Sequence, residues 1–462
     1  MKKQLRLLLF LAVFAVLVCL LSACDFSGGG NTSVTTITYA PVTTGPDGSE
    51  PPLSDDEYAA FYGLVDLDKL SRVQLAYYTY YVGTYRTVED CAAEIEETIR
   101  NLQGIRTVVD SESATGLYID LYARAQGDYY GYYYPPSEYS SYTDDLKGEY
   151  TGIGVSVSVN ADGYAEILNV FPGSPAEEVG MMPGDLIVEV EGEDFALIGY
   201  QNAINRIRGK AGTAVNLTIE REGVRIRFNP VRRKVTEVTV ESRMMDGNIG
   251  YIRIISFNES TYEQFVAAHR ALEAEGAVSY VFDVRYNPGG TLTSVVAILE
   301  YILPEGPIVH LNYKHDVNDR TVDSIYDISS GYMDGEDNVY YANHAITKPM
   351  VVLANGSTAS AGELFTSALN DYGVATVIGE KTYGKGVGQS QIMLGSDKSA
   401  LVITVFYYDP PTSPNYNGVG ILPDLEVSLS EEAAKKNLYK LTYAEDAQLQ
   451  AAVAALAPAG VQ

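Results

Sequence analysis

The chain has 462 residues, room for two or three domains. Its formal net charge is −28, with 60 acidic against 32 basic side chains, so nucleic acid and anionic lipid surfaces are excluded as natural partners of its surface. Three cysteines cannot form a disulfide framework, and His269, His310, His315 and His344 stand at no HExxH or other close metal-ligand spacing, so no metal and no cofactor is expected.

Lys2, Lys3 and Arg6 precede an apolar run from Leu7 to Leu21 that ends in small residues, the pattern of a signal peptide over residues 1–23. Leu21-Ser22-Ala23-Cys24 resembles the bacterial lipobox. That resemblance implies a lipid on Cys24 after cleavage, and a protein held on the membrane of the bacterial cell envelope, outside the cytoplasm. Residues 24–53 are rich in Gly, Ser, Thr and Pro without apolar periodicity, as in a disordered tether. With Cys19 removed and Cys24 lipidated, Cys91 has no intrachain partner and is predicted to pack on a helix.

Residues 54–148 read as a helical region. Val88, Ala92, Ile95, Ile99 and Leu102 form one apolar stripe, and Thr87 with Asp90 carries a capping signal. Seven of the seventeen residues 127–143 are tyrosines, around Pro135-Pro136. They suit a loop packed on the next domain, or a surface offering rigid faces with polar tips to a substrate.

Residues 149–235 carry a pattern of their own. TGIGVSVSV alternates as a strand, Ser174 and Pro175 open a short helix, and Pro183-Gly184-Asp185 turns into the strand from Leu186 to Val190. These segments resemble a PDZ domain of the bacterial-protease type. The resemblance implies that Gly152, Ile153, Gly154 and Val155 form a carboxylate-binding loop. Successive backbone N–H groups there would hold a peptide C-terminus while the peptide adds as a strand. Arg208 is a candidate relay from this domain to the remainder.

Residues 236–457 form the largest segment, with residues 430–457 as closing helices. Between 246 and 310, strand and helix alternate, which predicts a parallel crossover sheet. Ser260 and Glu263 suggest a capping box for the first helix, and Gly276 its end. Asn287-Pro288-Gly289-Gly290 follows a buried strand at its C-terminal end, where such sheets place ligands. Asp283 and Arg285 read as a structural pair, and residues 311–348 as a polar surface hairpin and loop.

The stretch from Met350 to Ala354 is an apolar β-branched strand, Asn355 to Ser357 a turn, and Leu364, Phe365, Ala368 and Leu369 recur at helical spacing. Ser360 therefore stands where a strand turns into a helix, among unpaired N–H groups at the positive helix end. Lys385 lies between Gly384 and Gly386, which allow close packing around it, and a desolvated lysine loses pKa and can serve as a base. Gln389, four residues on, can orient the amine. Serine activated by lysine is one form of nucleophilic catalysis.

STASAGE, with GEKTYGKGVGQ starting 19 residues after Ser360, resembles the carboxyl-terminal processing peptidases, or tail-specific proteases, and the likeness extends over residues 150–457. It implies Ser360 as nucleophile, Lys385 as general base and Gln389 as the residue orienting it. The oxyanion donors implied are the N–H groups of Ala361 and of Gly289, with Gly290 the alternative. Gly362 departs from the serine that many members carry.

The expectation is a mixed α/β chain: a helical N-terminal segment, a PDZ domain and an α/β crossover-sheet protease core. Its activity would be that of a serine endopeptidase acting on unfolded or C-terminally tagged envelope polypeptides, selected or gated through the PDZ domain. A homodimer or an adaptor protein stays open. A non-catalytic PDZ scaffold at the envelope is the rival reading.

Overall fold

The computed structural model describes residues 38 and 49–457, except 161, 315–320, 325, 328–331, 334–338 and 343–345. The leader 1–23, Cys24 and most of the tether 24–53 lie outside the described residues. Among the described residues no helix is long and apolar enough to cross a membrane. The chain divides into two compact units, residues 1–65 with 100–114, and residues 66–99 with 115–462.

In the first unit, α1 (Asp55–Tyr62) opens with a capping box: the Glu57 N–H donates to Ser54 Oγ, and the Ser54 N–H to the Glu57 carboxylate at 2.8 Å. Arg106 grips that carboxylate as a fork at 3.0 and 3.1 Å.

The second unit begins with α2 (Leu67–Tyr80) and includes most of α3 (Val88–Asn101) and α4 (Ser111–Ala125). Thr87 and Asp90 cap α3 reciprocally at 3.1 and 3.0 Å, and its buried stripe is Cys91, Ile95 and Ile99, whereas Leu102 is exposed. The tyrosine-rich segment then forms a strand, β1 (Tyr132–Tyr134), and a helix, α5 (Pro136–Lys147).

Residues 149–236 build a separate antiparallel sheet. The segment opens with β2 (Glu149–Gly152), and the sheet takes β3 (Val155–Val159), β4 (Ala165–Val170), β5 (Leu186–Val190), β6 (Leu217–Arg221) and β7 (Val224–Phe228) in that spatial order. Its core gathers Ile153, Ile167, Ile187, Phe195, Leu217 and Ile219. A one-turn helix starts at Pro175 with Ser174 as its cap, as expected, and α6 (Tyr200–Ile207) completes the layer. Strand β2 pairs antiparallel with β8 (Arg233–Thr236), Glu149 opposite Thr236 and Gly152 opposite Arg233. The chain therefore joins and leaves this domain side by side.

The remaining core alternates as its sequence predicts. Strands β9 (Val240–Met245) and β10 (Ile249–Ile254) lead to α7 (Thr261–Ala274), β11 (Ser279–Asp283) and α8 (Leu292–Ile302). After β12 (Gly306–Lys314) come β13 (Met350–Ala354), α9 (Ala361–Asp371) and β14 (Ala375–Gly379). The chain closes with β15 (Val387–Met393), β16 (Ala400–Asp409), β17 (Leu425–Glu426) and α10 (Ala447–Leu456). One sheet runs β9-β10-β11-β13-β14-β17, parallel throughout except for β9 at its edge. Strands β10, β11 and β13 are buried along their whole length, as parallel strands covered on both faces are.

A second sheet holds β16, flanked by β1 and β12, with β15 also paired to it. Tyr132, Tyr133 and Tyr134 pair with Val402, Leu401 and Ala400. Tyr132–Tyr134 of the tyrosine-rich segment are thus a strand of the core sheet, where a loop packed on the next domain or a substrate-contacting surface was expected. Residues 321–324 form a hairpin with β12, so the insertion extends this sheet. The cap of α7 also differs from expectation: Ser260 makes no side-chain cap and its hydroxyl donates to Asn258 Oδ1 at 2.8 Å.

Arg285 fastens the C-terminal helix to the parallel sheet. It is 2% exposed, and its guanidinium donates to Asp283, to both Asp446 oxygens at 2.8 Å and to Gln448 at 2.9 Å. Tyr251 completes Asp283 at 2.7 Å, and Asp446 caps α10 through the Leu449 N–H. Removing one member of a buried charge cluster strands the others. Arg285→Met is therefore expected to cost about 3–5 kcal/mol, measured as a lower urea midpoint at pH 7, while a midpoint equal to wild type would mean that the cluster contributes nothing.

Candidate active site

The turn between β13 and α9 is built from side chains that bond their own backbone. Thr358 Oγ1 accepts from the Asn355 N–H at 3.0 Å and donates to the Val284 carbonyl at 2.8 Å. Asn355 Oδ1 accepts from the N–H groups of Tyr286 and Ser357. Ser360, the last residue of the turn, has φ 55° and ψ −120°. A non-glycine residue in that region is strained, and such strain clusters where a side chain must be aimed. A strained strand-to-helix elbow is one known way of presenting a nucleophile.

Asn287 joins this elbow to the glycine turn. It is fully buried, its carbonyl accepts from the Ala359 N–H at 2.9 Å, and its amide donates to the Ile254 carbonyl at 2.9 Å. Gly289 lies against the elbow: a Cβ there would come within 2.7 Å of Ser360 Cβ and 3.0 Å of the Ala361 nitrogen, at a φ of +105°. The Gly289 N–H donates to Asn287 Oδ1 at 2.8 Å. Serving as an oxyanion donor would require releasing that bond. Gly290 lines the cleft described next, with Ala361 and Ser360. Gly362 is packed less tightly, since a Cβ on it would approach the Asn287 carbonyl to 3.2 Å.

Glu363 sits three residues into the helix, fully buried. Its carboxylate accepts four hydrogen bonds: from the Ser360 N–H at 3.0 Å, Thr382 Oγ1 at 2.6 Å, the Gly384 N–H at 2.6 Å and the Lys385 N–H at 2.8 Å. One side chain therefore fixes the backbone of both Ser360 and Lys385. The sequence reading passed it over, although Ser360 and Glu363 stand at capping-box spacing, the signal that points to it.

The glycines beside Lys385 do what the spacing suggests. A Cβ on Gly384 would meet the Gly420 nitrogen at 2.9 Å, and one on Gly386 would meet Asn415 Oδ1 at 2.5 Å. Burial pushes the Lys385 amine below the ordinary lysine value, against the Asp128 and Glu363 carboxylates, which pull it up. Its Nζ lies 4.4 Å from the centroid of the Tyr130 ring, and among the described residues no hydrogen bond joins it to Ser360. The Tyr408 hydroxyl, buried on β16, donates to the Lys385 carbonyl, and Tyr408 lines the same cleft as Ser360.

Ser360, Ala361, Lys385 and Gln389 line one cleft of about 410 Å³, with apolar walls from Leu292, Leu364 and Phe406 and a rim from Tyr142 and Leu146. Gln389 reaches Thr404 Oγ1 at 3.1 Å with its amide nitrogen, and Thr404 donates in turn to the buried Asp128 at 2.7 Å. A neighbouring cleft of about 330 Å³ shares Leu146, Pro288 and Gly290 with the first and reaches Tyr150 and Arg208. Arg208 lies 5.1 Å over the Tyr150 ring. Gly152, Ile153, Gly154 and Val155 run from the last residue of β2 to the first of β3, and a Cβ on Gly152 would meet the Tyr150 ring at 2.7 Å. There Gly154 (φ +78°) packs so close to Ser174 that a Cβ would reach 2.3 Å from it. Asp371 accepts from the Thr412 and Ser413 N–H groups, a structural role.

The profile of peptidase family S41 matches residues 248–427, and that of the PDZ domain residues 166–221. The carboxyl-terminal-processing protease of Synechocystis sp. is 33% identical over 325 residues, covering 69% of this chain and 71% of the relative. The carboxy-terminal processing protease CtpA of Bacillus subtilis is 32% identical over 308 residues, 66% of this chain and 62% of the relative. Among solved structures, a photosystem II D1 C-terminal processing protease superposes with a TM-score of 0.46 at 24% identity, over 78% of this chain and 92% of that one. The chain belongs to peptidase family S41, as a serine-type carboxyl-terminal processing peptidase with a PDZ domain, and is a hydrolase.

Proposed function

We propose that Ser360 is the nucleophile and Lys385 the general base of an endopeptidase. The observation that carries this reading is the strained Ser360 elbow and a desolvated lysine in one cleft, both held by Glu363. The neutral amine takes the Ser360 proton as Oγ adds to the scissile carbonyl. The oxyanion falls to the Ala361 N–H and the glycine turn, Gly289 or Gly290. The ammonium returns its proton to the leaving amine, and the C–N bond breaks. Water, deprotonated by the same lysine, then hydrolyses the acyl ester and releases Ser360. Gln389, whose amide donates to Thr404 in this structure, would orient the Lys385 amine from the same cleft.

The substrates proposed are unfolded or C-terminally tagged polypeptides of the bacterial envelope. Their C-terminal carboxylate would bind the Gly152–Val155 loop, and occupancy would pass to the cleft by way of Arg208. Lipidation at Cys24 would keep the enzyme at the membrane surface.

Three outcomes test this. Residues 54–462 are expected to cleave casein, and Ser360→Ala and Lys385→Ala each to abolish cleavage while keeping the wild-type circular dichroism; cleavage by purified Ser360→Ala would sink the assignment. Absence of cleavage by the wild type, with or without peptides bearing apolar C-termini, would favour the PDZ scaffold instead. The amine must be neutral to act, so the rate should rise with pH as Lys385 deprotonates. Because burial lowers its pKa, that rise should centre below the ordinary lysine value of about 10.4. Glu363→Ala leaves the Ser360, Gly384 and Lys385 N–H groups without their acceptor, so kcat/KM should fall by about 100-fold or more and the urea midpoint should drop. Retained activity would show that the two segments hold their places without Glu363.

A further inference from the structure

The tyrosine-rich segment bears on the chemistry at one point. Residues 127–130 form the turn between α4 and β1, and Tyr130 presents its ring face to the Lys385 amine at 4.4 Å. The turn is anchored to the core: Asp128 accepts from the Thr404 N–H at 3.0 Å, from Thr404 Oγ1 at 2.7 Å and from the Tyr130 N–H at 3.3 Å. The ring is therefore fixed beneath the amine by the strand that also receives Gln389.

We propose that Tyr130 is a positioning residue for Lys385, holding its protonated form on the ring face and away from Ser360. This rests on the serine–lysine reading. An aromatic face attracts an ammonium and not a neutral amine. Proton abstraction needs the amine within hydrogen-bond reach of Ser360 Oγ, so it must leave the ring to act. Tyr130 thereby sets how far the pH must rise before the base is free.

The groups that face the amine are identifiable. The Asp128 carboxylate, from the turn before β1, and the Glu363 carboxylate, from α9, both favour the charged form. Tyr383, from the lysine's own loop, lies beside Tyr130, and the Tyr408 hydroxyl, from β16, donates to the Lys385 carbonyl. Burial, with Tyr383 beside it, pushes the Tyr130 phenol up to about 12, so Tyr130 itself stays neutral across the working range. Its effect on the amine is that of a ring and not of a titrating charge.

The test is the pH profile of casein cleavage, each variant corrected by its Ser360→Ala blank. Removing the ring removes a contribution that favours protonation, so the acid limb of Tyr130→Leu should move to lower pH. The expected displacement is about one pH unit, which corresponds to a cation–π contact of about 1.4 kcal/mol. Tyr130→Phe keeps the ring and should keep the wild-type limb, as should Tyr129→Leu, whose exposed ring is not the one under the amine. Tyr130→Met, which has no ring, replaces the leucine variant if that one fails to fold by circular dichroism. A Tyr130→Leu limb at the wild-type pH overturns the proposal, as does a Phe variant displaced along with it. Loss of all cleavage in the wild type would instead strike at the serine–lysine reading, so the two failures are distinguishable.

Discussion

The site depends on one buried carboxylate. Glu363 is out of water altogether, and an ionised carboxylate there is tolerable only because four donors surround it. Those donors come from two places: one from the Ser360 elbow, three from the loop 382–385. The charge that must be satisfied is thus the same charge that draws the two segments together. Nothing in this arrangement is adjustable by a side-chain rotation of Ser360 or Lys385, since what Glu363 holds is their backbone. Glu363 thus fixes where the two side chains attach and leaves their ends to other contacts.

Around the amine, opposed effects are balanced. Burial favours the neutral amine, whereas Asp128, Glu363 and the Tyr130 face favour the ammonium. A lysine surrounded only by apolar groups would be a freer base, but the carboxylates are needed elsewhere: Asp128 satisfies Thr404 and Glu363 satisfies the elbow. The charge state of Lys385 is therefore coupled to the integrity of the scaffold. A substitution that loosens Asp128 changes the field at Lys385 as well as the packing of β16.

Much of this was legible in the chain. The strand–turn–helix around Ser360, the need for glycine beside Lys385 and the alternation of the parallel sheet follow from local periodicity and turn chemistry, which operate over a few residues. What escaped were contacts made at long sequence separation. Ser260 has the spacing of a cap, yet Asn258 takes its hydroxyl, because the buried network at Thr261 and Thr239 competes for the same groups. The stripe on α3 was read with Leu102, but the helix ends at Asn101 and Leu102 is exposed, whereas Cys91 packs on the helix as expected. Tyr132 to Tyr134 alternate no hydrophobic pattern of their own; only the register against Ala400 to Val402 makes them a strand. Asn287 looked like a turn residue, and its side chain's bonds to Gly289 and Ile254 could not be inferred from spacing.

The position of that strand explains the order of the chain. Strand β1 and helix α5 precede the PDZ domain, yet β1 pairs with β16 and α5 brings Tyr142 and Leu146 to the cleft that holds Ser360. The PDZ domain is in effect inserted into the peptidase core, its two ends closed by the β2–β8 pair. An inserted domain joined by two adjacent strands has fewer ways to move than one on a single linker, because any displacement of β2 drags β8. Leu146, Pro288 and Gly290 are walls common to the cleft at Ser360 and the one reaching Tyr150 and Arg208. Tyr150 and Arg208, from the inserted domain, thus border a cleft whose walls also bound the one at Ser360.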